Sequence, residues 1–300
     1  MSLFEPYVPE DFDGFWQEVV DAARAAPLDF HRSLQPESPA PGLLVEPFDF
    51  RGIAGSRLHG WFAYPEHVRR APAFLWIPPY GRESLLPNSY GTRPGYASLS
   101  FNFFGHSAFH QEAYIPSRGY FAEGADDPES FVFRSMAQDA MIAARVLQAQ
   151  IEVDEDRIGA MGMSQGGGMA IWLGAWLPFV KAVVADMPFL GAMGAALTRN
   201  AHRYPMKELV DYGESVPLGA ERVLNTLSYF DTMNQATRCR VPTRVTLGEK
   251  DPAARPENVE AIYHALPGEK ELVRLDIGHD WDPRMVEGGR RWLDRHLPTV

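Results

Sequence analysis

The 300-residue chain contains a single cysteine, Cys239, which excludes an intramolecular disulfide and a cysteine-based zinc site. It has no cluster of lysine and arginine longer than two residues, and its net charge is −11. A nucleic-acid partner is therefore not expected, because nucleic-acid-binding proteins usually present a basic face. The negative electrostatic field of this chain favours neutral or cationic ligands instead. Its most apolar stretch, Met169–Val180, falls well short of the roughly 20 residues that span a bilayer.

The N-terminus also lacks a basic segment followed by an apolar one, so we expect no signal peptide. The short apolar stretch predicts no membrane partner, and the single cysteine fits a cytoplasmic location. What the chain does have is an ordinary globular composition, with 45% apolar and 22% charged residues. A chain of this length buries enough surface to form a core without a metal or disulfide. We expect a single domain over residues 1–300, with an N-terminal helical extension over 1–42 and a helical insertion or lid over 191–239.

Hydrophobic periodicity predicts an alternation of helices and short strands. Predicted strands cover 43–50, 58–64, 73–77, 96–101, 157–161, 181–185, 243–247 and 271–275. Predicted helices cover 10–26, 129–150, 164–176, 206–212, 221–236, 256–266 and 283–296, and two loop-like connections cover 33–42 and 102–128. This alternation predicts an α/β fold with a mostly parallel central sheet and helices on both faces.

The strongest local motif is Gly-x-Ser-x-Gly, formed by Gly162, Ser164 and Gly166 between a predicted strand and a helix of small residues. A nucleophilic serine on a tight strand-to-helix turn stands clear of the sheet, and glycine on either side avoids a clash with Cβ. The motif lacks the lysine of a phosphate loop and the spacing of a dinucleotide fingerprint. We interpret Ser164 as a nucleophile, against the alternative of a glycine-rich turn with an incidental serine.

A serine nucleophile needs a general base, and in this arrangement the acid and the histidine follow the serine in the chain. His279 lies in a loop after the last predicted strand, whereas His264 falls within a helix and His296 near the chain end. Asp251 follows the strand before it and is the preferred acid. Asp186 is the competing acid, since it also follows a strand.

Asp276 and Asp280 are too close to His279 in sequence to orient its ring. An oxyanion hole requires two backbone N–H donors. We expect one from Gln165, directly after the serine. The other should come from Tyr80, because the prolines that precede it have no N–H to donate.

Several stretches together resemble the acetyl xylan esterase / cephalosporin C deacetylase family, which is carbohydrate esterase family seven. They are Pro9–Trp16, Ser117–Tyr120, Asp126–Arg134, Asp139, Val153-Asp154, Arg157–Gly168 and Ala185–Leu190. The resemblance implies an α/β-hydrolase fold and a cytoplasmic, often hexameric enzyme that removes acetyl groups from small esters such as acetylated sugars. The family's triad falls on Ser164, Asp251 and His279, and its oxyanion donors on Tyr80 and Gln165. No metal or organic cofactor is expected.

The chain departs from that family at three motifs and keeps the segment after the acid, Asp251–Pro256, only loosely. The family usually has His-Gly-Tyr-Gly where this chain has Pro78–Gly81, and its Arg-Gly-Gln falls on Phe104–His106. Its His-Glu pair becomes His279-Asp280. Phe103 and Phe104 are therefore expected to change which acyl or alcohol group is accepted. The histidines at 106 and 110 have a spacing that binds metal on a helix, but they lie in a predicted loop.

Two other functions stay open on the sequence: a broad esterase or peptidase of the same fold, and a non-catalytic binding protein. A preference for amides or long acyl chains would distinguish a broad esterase or peptidase from a deacetylase. A missing triad member would favour the non-catalytic binding protein, and all three residue types are present.

Overall fold

The computed structural model describes residues 7–33, 40–81, 86–110, 119–200 and 202–299. Parts of the two predicted loops, at 34–39 and 111–118, lie outside the described residues, and so do Ser117 and Arg118 of the family-like segments. The strands are β1 (Phe30–Arg32), β2 (Leu43–Arg51), β3 (Arg57–Pro65), β4 (Ala71–Ile77), β5 (Ala97–Phe101), β6 (Val153–Met163), β7 (Val180–Asp186), β8 (Thr243–Gly248) and β9 (Lys270–Leu275).

The helices are α1 (Phe12–Ala25), α2 (Val132–Gln148), α3 (Gln165–Trp176), α4 (Met193–Asn200), α5 (Met206–Ser215), α6 (Gly219–Phe230), α7 (Thr232–Ala236), α8 (Pro256–Ala265) and α9 (Pro283–His296). Among the described residues, no helix is both long and apolar enough to cross a membrane.

The nine strands form one sheet in the order β1-β2-β3-β5-β4-β6-β7-β8-β9. Pairing is antiparallel from β1 to β3 and between β3 and β5, and parallel from β5 onward. The carboxyl ends of β4, β6, β8 and β9 therefore meet at one edge of the sheet. The predicted α/β fold with a mostly parallel sheet is confirmed.

Glycines on β6 show how closely the helices cover both faces of the sheet. A Cβ at Gly159 would approach Leu293 and Leu297 at the end of α9, whereas a Cβ at Gly162 would overlap the backbone of Gly166 in α3. Side chains of odd and even positions on a strand point to opposite faces. The two helices therefore lie on opposite faces of the sheet, and α3 fits against β6 because glycine leaves room for it.

Apart from the ends of elements, the structure differs from the predicted elements in three places. The three-residue strand β1 and the helix α4 were not predicted, and the predicted helix 221–236 is interrupted at Asp231. There the backbone is extended (φ −67°, ψ 121°), and the Asp231 carboxylate caps α7 by accepting from the backbone N–H of Met233. It also accepts from the N–H groups of Ala192 and Met193. This carboxylate therefore stabilises a turn where the apolar pattern alone continues a helix.

Candidate active site

Ser164 occupies the sharp turn between β6 and α3. Its backbone has φ 56° and ψ −120°, a left-handed conformation that L-residues rarely adopt. The turn is held because the Ser164 N–H donates to the carbonyl of Asp186 at 2.9 Å and its carbonyl accepts from Gly168 and Phe189. A Cβ at Gly166 would lie 2.0 Å from the carbonyl oxygen of Ile77. Glycine at this position therefore lets the start of α3 pack directly on the end of β4.

His279 lies in the loop after β9, and its imidazole reaches the serine. Its Nε2 is 3.0 Å from Ser164 Oγ, and the side chain is 24% exposed. The loop is fixed to the neighbouring one, because the N–H of Lys250 donates to the carbonyl of Ile277 at 2.9 Å. The loops after β8 and β9 are thus joined by their backbones, directly beside the imidazole.

Asp251 lies on the other side of that imidazole. Its Oδ2 is 2.6 Å from His279 Nδ1, and its Oδ1 accepts from the backbone N–H groups of Ala253 and Ala254 at 2.8 and 2.9 Å. The side chain is fully buried. Two backbone donors thereby fix the carboxylate in the orientation that faces the histidine.

The competing acid, Asp186, has other partners. It accepts a hydrogen bond from the Thr246 hydroxyl at 2.6 Å, and a guanidinium nitrogen of Arg244 lies 3.5 Å away. Burial raises the pKa of the Asp186 carboxyl. Within the described chain, the carboxylate that contacts His279 is that of Asp251, whereas Asp186 faces Thr246 and Arg244.

The remaining histidines considered from the sequence lie elsewhere. His264 packs its ring against Tyr263 in α8, and His296 at the end of α9 packs on Trp292. The structure therefore brings together Ser164, His279 and Asp251, the three residues that the sequence singled out.

Tyr80 and Gln165, the expected oxyanion donors, flank the serine. Gln165 is the first residue of α3, where backbone N–H groups have no partner within the helix. Tyr80 lines the same cavity as Ser164. Their side chains are also engaged, since Tyr80 Oη donates to Glu208 at 2.8 Å and Tyr120 Oη donates to Gln165 Oε1 at 3.0 Å.

A cavity of about 230 Å³ opens above Ser164 and His279. Part of its wall is Phe189, which lies in the family-like segment Ala185–Leu190. Other wall residues were not singled out from the sequence: Arg203, Tyr204, Pro205 and Trp281. The residues at 203–205 lie between α4 and α5, inside the segment 191–239 that we expected to be an insertion or lid. That expectation was the only sequence signal for them, because they lie far along the chain from the Gly-x-Ser-x-Gly motif.

Phe103 and Phe104 do not line this cavity. Phe103 packs on Phe101, with ring centroids 4.7 Å apart, and Phe104 packs on Tyr120 at 4.4 Å. The part of the chain that the structure describes has no group of three or more His, Cys, Asp and Glu side chains arranged to hold a metal ion.

The family model and a curated relative indicate the same family. The model of the acetyl xylan esterase family matches residues 4–286. A curated relative, the acetyl esterase Axe7A of Xylanibacter ruminicola, is 22% identical over 293 residues, which cover 93% of this chain. The chain spans 66% of the length of that relative.

Solved structures agree in fold. The acetyl xylan esterase from Paenibacillus sp. R4 superposes with a TM-score of 0.88 at 25% identity, covering 98% of this chain and 96% of the other. Acetyl xylan esterase 1 from Thermoanaerobacterium sp. JW/SL YS485 gives 0.83 at 23% identity, covering 96% and 94%.

Proposed function

Because this chain belongs to the acetyl xylan esterase family, we propose that it is a serine carboxylesterase that hydrolyses short acetyl esters of sugars or similar small molecules. The observation that carries the proposal is the continuous contact from Ser164 Oγ through the His279 ring to Asp251, at 3.0 and 2.6 Å. This contact opens on a cavity large enough for a small acyl group. Hydroxyl, imidazole and carboxylate in this order are the parts of nucleophilic acyl transfer.

In the proposed reaction, Ser164 Oγ attacks the acyl carbonyl carbon while His279 Nε2 removes the hydroxyl proton. The carboxylate of Asp251 keeps the proton on Nδ1 and stabilises the imidazolium that forms. The imidazolium then protonates the leaving alcohol as the C–O bond breaks, which leaves an acetyl-enzyme. Water, activated by the same imidazole, hydrolyses that ester and restores Ser164.

Negative charge develops on the carbonyl oxygen at each step, and the backbone N–H groups of Tyr80 and Gln165 are the proposed donors to it. The position of Gln165 supports its role, because the start of a helix presents free N–H groups and the positive end of the helix dipole. No metal or organic cofactor takes part in this scheme.

The lining and the volume of the cavity favour small acyl groups over long ones. Phe189, Pro205 and Trp281 present apolar surface around the serine, and the volume of about 230 Å³ is below that of pockets for drug-sized ligands. A broad-specificity esterase or peptidase is the second candidate. A chain-length series of p-nitrophenyl esters, together with aminoacyl amides, distinguishes the two, since a preference for amides or long chains favours that second candidate.

We further infer from the family resemblance a cytoplasmic homo-oligomer, with a hexamer as the specific expectation, and activity on cephalosporin C as well as on acetylated sugars. Sedimentation equilibrium tests the subunit number. Acetate release from cephalosporin C and from acetylated xylose tests the substrates.

The proposed activity is tested with p-nitrophenyl acetate and the variant Ser164→Ala. We expect kcat/KM to fall by at least ~10³-fold, because loss of the nucleophile removes the acyl-enzyme route. Ser135→Ala, which removes a hydroxyl bonded within α2, is the matched control and should retain activity. Equal hydrolysis by wild type and Ser164→Ala would refute the proposal.

A further inference from the structure

Glu208 of α5 is a carboxylate at 2% exposure that lies behind the cavity wall. Its Oε1 accepts from the Tyr80 hydroxyl at 2.8 Å, and its Oε2 accepts from the backbone N–H of Phe121 at 3.0 Å. Both oxygens are thus used by groups on two other segments of the chain. Glu208 joins the segment 191–239 to the loop after β4.

The Tyr80 ring also packs against two other aromatic rings. Its centroid lies 4.9 Å from that of Tyr120 and 5.7 Å from that of Phe121. A Cβ at Gly119 would lie 2.3 Å from Tyr80 Oη, so the main chain at 119 passes directly beside the hydroxyl. The ring therefore has little freedom to move while its hydroxyl is bonded to Glu208.

Tyr120 extends this contact to the second oxyanion donor. Its ring packs on Tyr80, and its hydroxyl donates to Gln165 Oε1 at 3.0 Å. One connected set of side chains, Glu208, Tyr80, Tyr120 and Gln165, thus includes both residues whose backbone N–H groups are the proposed oxyanion donors.

We propose that Glu208 is a positioning residue of the oxyanion hole, which acts by holding the Tyr80 side chain and thereby the Tyr80 backbone N–H. The inference rests on the proposed function, because it takes Tyr80 as a donor to the oxyanion. Donors stabilise a transition state only when they are fixed before charge develops. A hydroxyl held by a buried carboxylate supplies that fixation, since hydrogen bonds to charged groups are the stronger ones.

The test compares Tyr80→Phe with Tyr212→Phe. The first removes the hydroxyl but keeps the ring and the backbone N–H. The second removes an equivalent tyrosine–carboxylate bond from the same helix α5, that of Tyr212 Oη to Asp126 at 2.5 Å. We expect Tyr80→Phe to lower kcat for p-nitrophenyl acetate by ~10-fold or more with KM changed less than ~2-fold, because only transition-state contacts are weakened.

Inhibition by a small boronic acid, which forms a tetrahedral adduct with a catalytic serine, should weaken by the same factor in Tyr80→Phe. Tyr212→Phe should keep both kcat and boronate affinity. Glu208→Gln retains an oxygen that can accept from Tyr80, so it should lose less kcat than Glu208→Leu, which retains none.

Unchanged kcat and boronate affinity in Tyr80→Phe would overturn the inference, and so would an equal loss in Tyr212→Phe, which would indicate general docking of α5. Activity that survives Ser164→Ala would instead refute the proposed function. The two failures are therefore distinguishable, and Tyr80→Phe decides the inference even if the Glu208 variants do not fold.

Discussion

At the scale of single residues, Asp251 is held at both of its carboxylate oxygens. Its Oδ1 accepts two backbone N–H groups while Oδ2 faces His279 Nδ1. An amide cannot satisfy all three donors, because one of its two ends is itself a donor. The side chain at 251 therefore determines which nitrogen of the imidazole carries the proton.

This restraint predicts the effect of Asp251→Asn. With its oxygen toward the backbone donors, the amide NH₂ faces Nδ1 and moves the ring proton to Nε2, where it blocks removal of the serine proton. We expect kcat for p-nitrophenyl acetate to fall by ~10³–10⁴-fold with the fold intact. Asp276→Asn, which neutralises an exposed carboxylate in the neighbouring loop after β9 that pairs with Lys250, is the control. An Asp251→Asn enzyme within ~10-fold of wild type would contradict the assignment.

Among the helices, α2 carries a buried carboxylate that faces the turn between β2 and β3. Asp139 is buried and accepts one hydrogen bond, from the backbone N–H of Ile53 at 2.7 Å. Burial raises its pKa to about 7, well above its usual value. The folded state therefore holds this proton more tightly than the unfolded chain does, and ionisation of Asp139 opposes folding.

The expected pH dependence follows from that direction. Stability from Asp139 is greatest below its unfolded pKa and declines as pH rises toward about 7. Asp139→Asn keeps an oxygen that can accept from the Ile53 N–H and removes the buried charge. At pH 8 we therefore expect its free energy of unfolding to exceed that of wild type by ~1–3 kcal/mol. The gain should vanish at pH 4. Urea denaturation at both pH values measures it, and an equal change at both would contradict the raised pKa.

Elements with a strong local pattern could be predicted from the sequence, and the others could not. The continuously apolar β4 and the amphipathic α2 agree with their predictions apart from their ends. In contrast, β1 has three residues and no alternation, and it exists because it pairs with β2. The first residues of β6 are mostly polar, so the prediction began at Arg157 whereas the strand begins at Val153.

The same division applies to the candidate site. Ser164 is identifiable because its turn requires glycines at fixed spacing, and His279 and Asp251 follow from chain order and strand ends. Glu208 has no such signal, since an acid on an amphipathic helix normally faces water. Its partner becomes visible only when α5 packs against the loop after β4, which is a tertiary contact.

Across the whole molecule, the N-terminal helix joins segments that are far apart in the chain. The Trp16 indole N–H donates to the carbonyl of Tyr229 at 2.8 Å, a contact across 213 positions. Its ring packs on Trp172 and Trp176 of α3 and on Phe230 of α6. The predicted extension 1–42 and insertion 191–239 thus share one core with the helix that follows the serine, although the division itself stays a prediction.

Because the core is shared, we expect that a substitution in the buried face of α1 destabilises the entire chain. Trp16 is fully buried, so Trp16→Ala should lower the free energy of unfolding by ~3–5 kcal/mol. Gln17→Ala, which removes an exposed side chain on the same helix, is the control. Circular dichroism and esterase activity should be lost at one common urea concentration, lower than that of wild type. If activity persisted through a first transition, α1 would be a separately unfolding unit, and the stability of the site would not depend on it.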